Sequence, residues 1–399
     1  SILNNASANF PMKNTIFTMS LCLNIAFTLN PVNGFVGGRW RHLEHRTKKL
    51  GILSRIAASP AFSRASSSSA ATDEMRKDAQ EETEKLEKFY DTVSFEKPIF
   101  WKTRQEGADY VSKNIDTVLF DCDGVLYRTL DQCPGASNCI EGLMEKGKKV
   151  LFVTNNAGVN RRELRDKLST VLGIGSLTNE QMVSSSYSCA QYLKSKLIPG
   201  SRVHVVGSAG LCEELANSSF QISGGPSLDQ PSSMNRQDLA DYDFPEHPID
   251  AIAVGHDVAM NFRKLCIADN LLLRNPKALF VATNEDSFDL VGSDRRHIPG
   301  NGCTVKALEY CSKRKAVCVG KPSTTLANLI MQEHQIDPSR ALFVGDRLDT
   351  DILFAKANGM KSLLVMTGVT SAQTMIDLER GTEEEPLPDY IAPSVEVLV

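Results

Sequence analysis

At 399 residues, with 42% hydrophobic and 23% charged residues, the chain has the make-up of a globular protein of about two to three domains. The net charge of −4 conceals an asymmetry: residues 1–72 hold eight Lys/Arg and one acid, Glu44, leaving 36 basic against 47 acidic residues beyond them. An acidic body argues against nucleic acid as a partner, because phosphate backbones are bound by basic surface.

In chain order, the first element reads as an address. After Met12 and Lys13, the apolar run Ile16 to Phe27 is too short to cross a bilayer and has the form of a signal-peptide core. An acid-poor tract follows, with Arg39, Arg41, Arg46, Arg55 and Arg64 and then Ser66–Ser69, the composition of an organelle transit peptide. The two together read as the bipartite plastid presequence of some algae, over 1–72, so a stromal protein is expected once it is removed. No other segment is long and apolar enough for a transmembrane helix, and no membrane partner is expected. Ten cysteines are scattered singly, without C-x-x-C or zinc spacing, which favours reduced thiols.

Residues 73–104 read as a charged helical linker. In DEMRKDAQEETEKLEKFYDT, charges of both signs surround Met75, Ala79, Leu86 and Phe89, the pattern of an exposed amphipathic helix. From about 105 onward, apolar β-type runs at 115–120, 149–153, 203–206, 250–254, 278–282, 316–319, 341–344 and 362–366 alternate with helical patterns. Asn160 with Glu163 forms a capping-box start, Ser323 caps a helix through Leu326 and Ile330, and Gly359 sits at a helix stop. Such alternation predicts an α/β fold, a doubly wound, mostly parallel sheet with helices on both faces. The stretch 217–248, rich in Gly, Pro and polar residues, reads as a long loop.

Four apolar strands end in short polar groups: Asp121 and Asp123 after VLF, Thr154, Asn155 and Asn156 at the end of LFV, Lys321 after VCVG, and Asp346 and Asp351 after LFVG. Open α/β sheets bind ligands outside the carboxyl ends of their strands, so all four groups are expected to meet at one edge. Packed carboxylates raise one another's pKa, and a divalent cation relieves that conflict; magnesium, which takes oxygen ligands, is the expected metal. Asp121 and Asp123, two apart on an extended segment, face the same way. One can attack phosphorus while the other serves as general acid and base. Lys321 and the metal would offset phosphoryl charge, and Thr154 would hold its oxygens.

DxDGV, T-N-N, GKPS and GDxxxTD, in this order, resemble the four motifs of the haloacid dehalogenase-type phosphatases. More narrowly, FDCDGVLYR, FVTNNAG, VGKPS and VGDRLDTDILFA resemble the family of phosphoglycolate, pyridoxal phosphate and 4-nitrophenyl phosphatases, over about 110–395. The resemblance implies a Rossmann-like core with an inserted α/β cap: core over 105–196 and 317–399, cap over 197–316. It implies Asp121 as nucleophile and Asp123 as general acid/base. It implies Mg²⁺ on Asp121, the Asp123 backbone carbonyl and Asp346, with Asp351 acting through water. Thr154, Asn155, Asn156 and Lys321 would hold the phosphoryl group. A homodimer through the cap is implied as well.

With the plastid-type presequence, the implied substrate is 2-phosphoglycolate; pyridoxal phosphate or another small phosphomonoester is the alternative, and a catalytically retired scaffold is the alternative of another class. Cap residues Arg295, Arg296 and His297 are candidates for contacting the leaving group. Some relatives carry a basic residue a few positions after ATNxD, where this chain has Ser287, Phe288 and Asp289. His256 reads as a structural cap histidine.

Overall fold

The computed structural model describes residues 69–93, 97–291, 295–380 and 386–399. The presequence expected over 1–72 therefore lies outside the described residues as far as residue 68.

Two parallel sheets organise the chain. The larger has seven strands, numbered in chain order and lying side by side as β1 (Ile99–Phe100), β16 (Tyr390–Ala392), β15 (Lys361–Val365), β14 (Ala341–Gly345), β2 (Thr117–Phe120), β5 (Lys149–Thr154) and β6 (Met182–Ser184). Every pairing in it is parallel. Its central strands read as unbroken apolar runs because both faces are covered. Val118, Phe120, Val150 and Phe152 point to one face, against Ile140, Leu143, Leu164 and Leu168. The intervening Leu119, Leu151, Val153 and Phe343 point to the other, against Leu326, Ile330 and Phe354.

The second sheet runs β13 (Val317–Cys318), β10 (Leu279–Ala282), β9 (Ala251–Val254), β7 (Arg202–Val206) and β8 (Gln221–Gly224), again all parallel. Ile252, Val254 and Phe280 pack on Ile267, Leu271, Val305 and Leu308 of the helices Phe262–Arg274 and Asn301–Ser312. Two antiparallel ribbons complete the strands: β3 (Tyr127–Arg128) with β4 (Asp131–Gln132), and β11 (Phe288–Val291) with β12 (Arg296–Pro299). The doubly wound α/β core with a second α/β layer is the fold expected.

The local signals behave as read. Asn160 accepts from the Glu163 N–H while the Glu163 carboxylate accepts from the Asn160 N–H, closing the capping box of helix Arg161–Leu172. Ser323 accepts from the Thr325 N–H, and Gly359 takes φ +73° after helix Leu353–Ala357.

Three expectations need correction, and one strand was not foreseen. The 316–319 run does not join the core sheet: Val317 and Cys318 pair with Val281 and Ala282 of the second sheet. The strand falls in the segment that the resemblance gives to the core, and at two residues it is too short to show its own partner by pattern. Within 217–248 lie the edge strand β8 and the short helix Arg236–Ala240, with Leu228 and Met234 buried. An edge strand has one paired side and half-buried side chains, so QISG carries no apolar run. Three-residue β6 escaped the periodicity for its brevity.

Finally, the charged helix is real but is no free linker. Helix α1 (Ser69–Tyr90) buries Met75, Ala79, Leu86 and Tyr90, one stripe at i, i+4, i+11 and i+15. Ala79, Leu86 and Tyr90 pack with Leu348, Ile352, Leu364 and Ile376. Tyr90 Oη donates to Glu379 at 2.9 Å, and the Glu82 carboxylate accepts from the Ala372 N–H at 2.5 Å. Just downstream, β1 adds to the edge of the core sheet.

Candidate active site

Strands β14, β2 and β5 are neighbours, and β2 is where strand order reverses, the point at which open α/β sheets form a crevice. Asp346 follows β14, Asp121 follows β2 and Thr154 ends β5, so backbone topology alone brings them together. Lys321 arrives from the other sheet, three residues past β13, whose carboxyl end faces the same crevice. Its Nζ donates to Asp121 Oδ1 at 2.6 Å and to Asp351 Oδ1 at 2.7 Å. The second oxygen of Asp351 accepts from the Asp346 and Arg347 N–H groups at 3.0 and 3.1 Å. Asp346 Oδ2 accepts from the Val369 N–H at 2.6 Å, whereas Asp346 Oδ1 is buried with no hydrogen-bond partner among the described residues.

Three buried carboxylates thus surround one ammonium, and an oxygen from each of Asp121, Asp346 and Asp351 lies within 4.8 Å of the others. Burial raises the Asp121 carboxyl well above its ordinary range, with Asp351 and Asp346 adding to the effect against the pull of Lys321. Asp346 is pushed up to about 7, by burial first and by Asp351 second. Burial opposes the charge of Lys321, but Asp121 and Asp351 more than offset it and raise its pKa. The surplus negative charge and the orphaned Asp346 oxygen fit a bound cation with oxygen ligands. Space for it depends on two glycines. A Cβ on Gly124, at φ +82°, would stand 2.5 Å from Asp346 Oδ2, and one on Gly368 only 1.8 Å away.

Asp123 is turned toward the opening, its side chain 53% exposed. That exposure is to a walled cleft rather than to bulk solvent, so loss of water still raises its carboxyl, against the nearby Lys167 ammonium. Tyr127 Oη donates to Asp123 Oδ2 at 3.2 Å, and Lys167 lies over the Tyr127 ring at 3.9 Å. Thr154 Oγ1 accepts from the Asn156 N–H at 3.1 Å and Asn156 Oδ1 from the Gly158 N–H at 2.7 Å, which folds this turn around the crevice. Asn155 has a different task. Its Oδ1 accepts from the Lys321 N–H at 2.8 Å, and its Nδ2 donates to Asp286 Oδ1 at 2.8 Å and to the Lys321 carbonyl at 3.2 Å. It fixes the lysine's backbone.

The crevice opens into a cavity of about 800 Å³ lined by Asp121, Asp123, Thr154, Asn155, Asn156, Lys321, Asp346 and Asp351. Cap residues close it: His256, Asn284, Asp286 and Arg295. Of the three basic cap candidates, Arg295 lines the cavity and donates to the Gly368 and Val369 carbonyls at 2.8 and 3.2 Å. His297 instead stacks on Phe288, and Arg296 pairs with Val291 in the β11–β12 ribbon. Asn284, Asp286 and Lys167 were not singled out from sequence. The first two follow β10 and obey the same strand-end rule, one sheet over; Lys167 sits mid-helix, with nothing in its pattern to mark it. Burial pushes Asp286 up to about 6 against Arg347 and Asn155.

These features define a phosphoryl-transfer enzyme of the haloacid dehalogenase type, and comparison with known proteins agrees. Residues 118–221 match the model described as haloacid dehalogenase-like hydrolase, and residues 318–398 a second described as HAD-hydrolase-like. The chain belongs to this family and is a phosphoric monoester hydrolase. It is 38% identical over 288 residues to phosphoglycolate phosphatase 2 of Arabidopsis thaliana, covering 72% of this chain and 93% of the relative. Against glycerol-3-phosphate phosphatase of Gallus gallus it is 37% identical over 302 residues, 73% of this chain and 93% of the other. A glycerol phosphate phosphatase from Mycobacterium tuberculosis, solved in complex with magnesium, superposes with a TM-score of 0.58 at 29% identity, covering 72% of this chain and 77% of that one.

Proposed function

We propose that this enzyme is a Mg²⁺-dependent phosphatase that hydrolyses 2-phosphoglycolate through an aspartyl-phosphate on Asp121. The observation that carries the reading is the buried set Asp121, Lys321, Asp351 and Asp346, with one Asp346 oxygen left unpaired. Asp121 attacks phosphorus as the bond to the leaving oxygen breaks, and Asp123, whose carboxyl the cleft raises, gives that oxygen a proton. Asp123, now ionised, then takes a proton from water; the water oxygen bonds to phosphorus, and the bond to Asp121 breaks to release phosphate. Lys321 aims Asp121 and draws it toward its ionised form against burial, Asn155 holds Lys321 in place, and Thr154 with Asn156 frames the phosphoryl oxygens. Mg²⁺ would be held by Asp121, Asp346 and the Asp123 carbonyl, with Asp351 acting through water, and when bound offsets charge on the phosphoryl group.

Glycolate carries a carboxylate, and Arg295 and Arg128 both line the cavity as counter-charges. A second substrate reading, glycerol 3-phosphate, draws on the relative and the solved structure of that activity and on a cavity roomier than glycolate requires. The Arg- and Ser-rich leader supports a plastid address. Exposed Val258, Phe262 and Tyr310 in the cap segment support a homodimer formed there. The direct test is Asp121→Asn, which abolishes hydrolysis of 4-nitrophenyl phosphate; Mg²⁺-dependent turnover by that variant would overthrow the mechanism. The ratio of kcat/KM for 2-phosphoglycolate to that for glycerol 3-phosphate decides the substrate.

A further inference from the structure

The catalytic cavity has a wall that the family-model matches do not include. Helix α1 lies outside both matched segments, 118–221 and 318–398, yet Glu74, Met75 and Asp78 line the same cavity as Asp121 and Asp346. The helix is fastened at several points. Its apolar stripe is buried, Thr72 Oγ1 donates to the Gln132 carbonyl at 3.1 Å, Arg76 pairs with Glu396 at 3.2 Å, and Glu82 accepts from the Ala372 N–H. It is a fixed wall, not a tail lying across the opening.

Glu74 and Asp78 are four apart and so share one face of α1. Both are exposed, and among the described residues neither has a salt-bridge partner, although neighbouring Arg76 is paired with Asp73 and Glu396. Their charges therefore face the cavity uncompensated. Two of the cavity's arginines are held on the Thr367–Val369 segment beside Asp346, Arg128 by the Thr367 carbonyl and Arg295 by those of Gly368 and Val369, and Arg347 pairs with Asp349. Glu74 and Asp78 line the same cavity as Asp121 and so border the space open to a leaving group.

We propose that Glu74 and Asp78 are specificity-determining residues that reject leaving groups bearing a distal negative charge and favour those that are neutral or cationic there. The inference rests on the phosphatase reading and adds a charge filter to it.

The test uses the full chain and three phenyl phosphates matched in length: 4-nitrophenyl, 4-carboxyphenyl and 4-(aminomethyl)phenyl phosphate. For Glu74→Gln with Asp78→Asn, kcat/KM for the carboxy ester relative to the nitro ester should rise about fivefold over wild type, and the ratio for the amino ester should fall comparably. Glu74→Lys with Asp78→Lys should enlarge both changes in the same directions. Because the two groups are exposed, the effect should shrink toward wild type in about 0.5 M salt. Ratios that stay within twofold in both variants would overturn the filter. So would equal losses on all three esters, which would mark a structural role instead. Failure of the wild-type chain to hydrolyse any of the three would instead sink the phosphatase reading, and the filter with it.

Discussion

Replacing Gly368 by Ala tests whether the Asp346 carboxylate is held in place by close packing. The added methyl would lie 1.8 Å from Asp346 Oδ2 and 2.2 Å from its Cβ and Cγ. An ordinary carbon–oxygen contact begins near ~3.3 Å, so the loop and the carboxylate must separate by about 1.5 Å. Overpacking of this kind costs ~1–3 kcal/mol of stability. The larger effect is on chemistry, since the same movement breaks the 2.6 Å hydrogen bond from the Val369 N–H. A 1 Å misplacement at a reacting centre is worth about 100-fold, so kcat/KM should fall about 100-fold, or ~3 kcal/mol in the barrier. The assay is 4-nitrophenyl phosphate hydrolysis titrated with Mg²⁺, with the thermal midpoint measured in parallel; the Mg²⁺ concentration for half-maximal rate should rise as well. Gly175→Ala is the control, because a Cβ there meets nothing within 4 Å. Activity within threefold of wild type at an unchanged Mg²⁺ requirement would refute the packing argument.

Asn155→Ala removes both anchors of the Lys321 backbone and should lower kcat about 10- to 100-fold with a smaller change in KM, as measured by steady-state kinetics. Lys321→Met leaves Asp121 and Asp351 without their shared cation; it should eliminate turnover and cost ~3–5 kcal/mol in urea unfolding without metal. His204, buried in the second sheet with Nδ1 on Ser223, is depressed by burial from 6.5 to about 4. The unfolded chain binds the extra proton between those values, so stability is full above pH 6.5, falls by ~3 kcal/mol as the pH drops to 4, and is flat below. His204→Asn should flatten that limb in urea midpoints taken at pH 7 and pH 4.5.

The catalytic core was readable because its physics is local. A strand buried on both faces must be a continuous apolar run, and a polar residue directly after it stands at the sheet's carboxyl edge. Asp121, Thr154 and Asp346 were found that way. Lys321 was found by the same rule but placed on the wrong sheet, since Val317–Cys318 offers too few side chains to declare a neighbour. The side-chain amide of Asn155 is committed to Asp286 and Lys321, and no residue type announces which of its partners it will choose. The α1 stripe was visible, but its burial depends on what Leu348, Leu364 and Ile376 offer from nearly 300 positions away.

Because β13 belongs to the second sheet and Lys321 follows it by three residues, the insert and the chemistry share a seam. Excising residues 197–316 to make a minimal enzyme would delete the four strands that give β13 its bearing, and with them the aim of the ammonium. Exchanging inserts between relatives to alter substrate choice would need to carry the chain through to residue 321, so that the transplanted module brings its own lysine. The junction for such a graft belongs after Lys321, in the Pro322–Ser323 link that leads into the helix Thr324–His334.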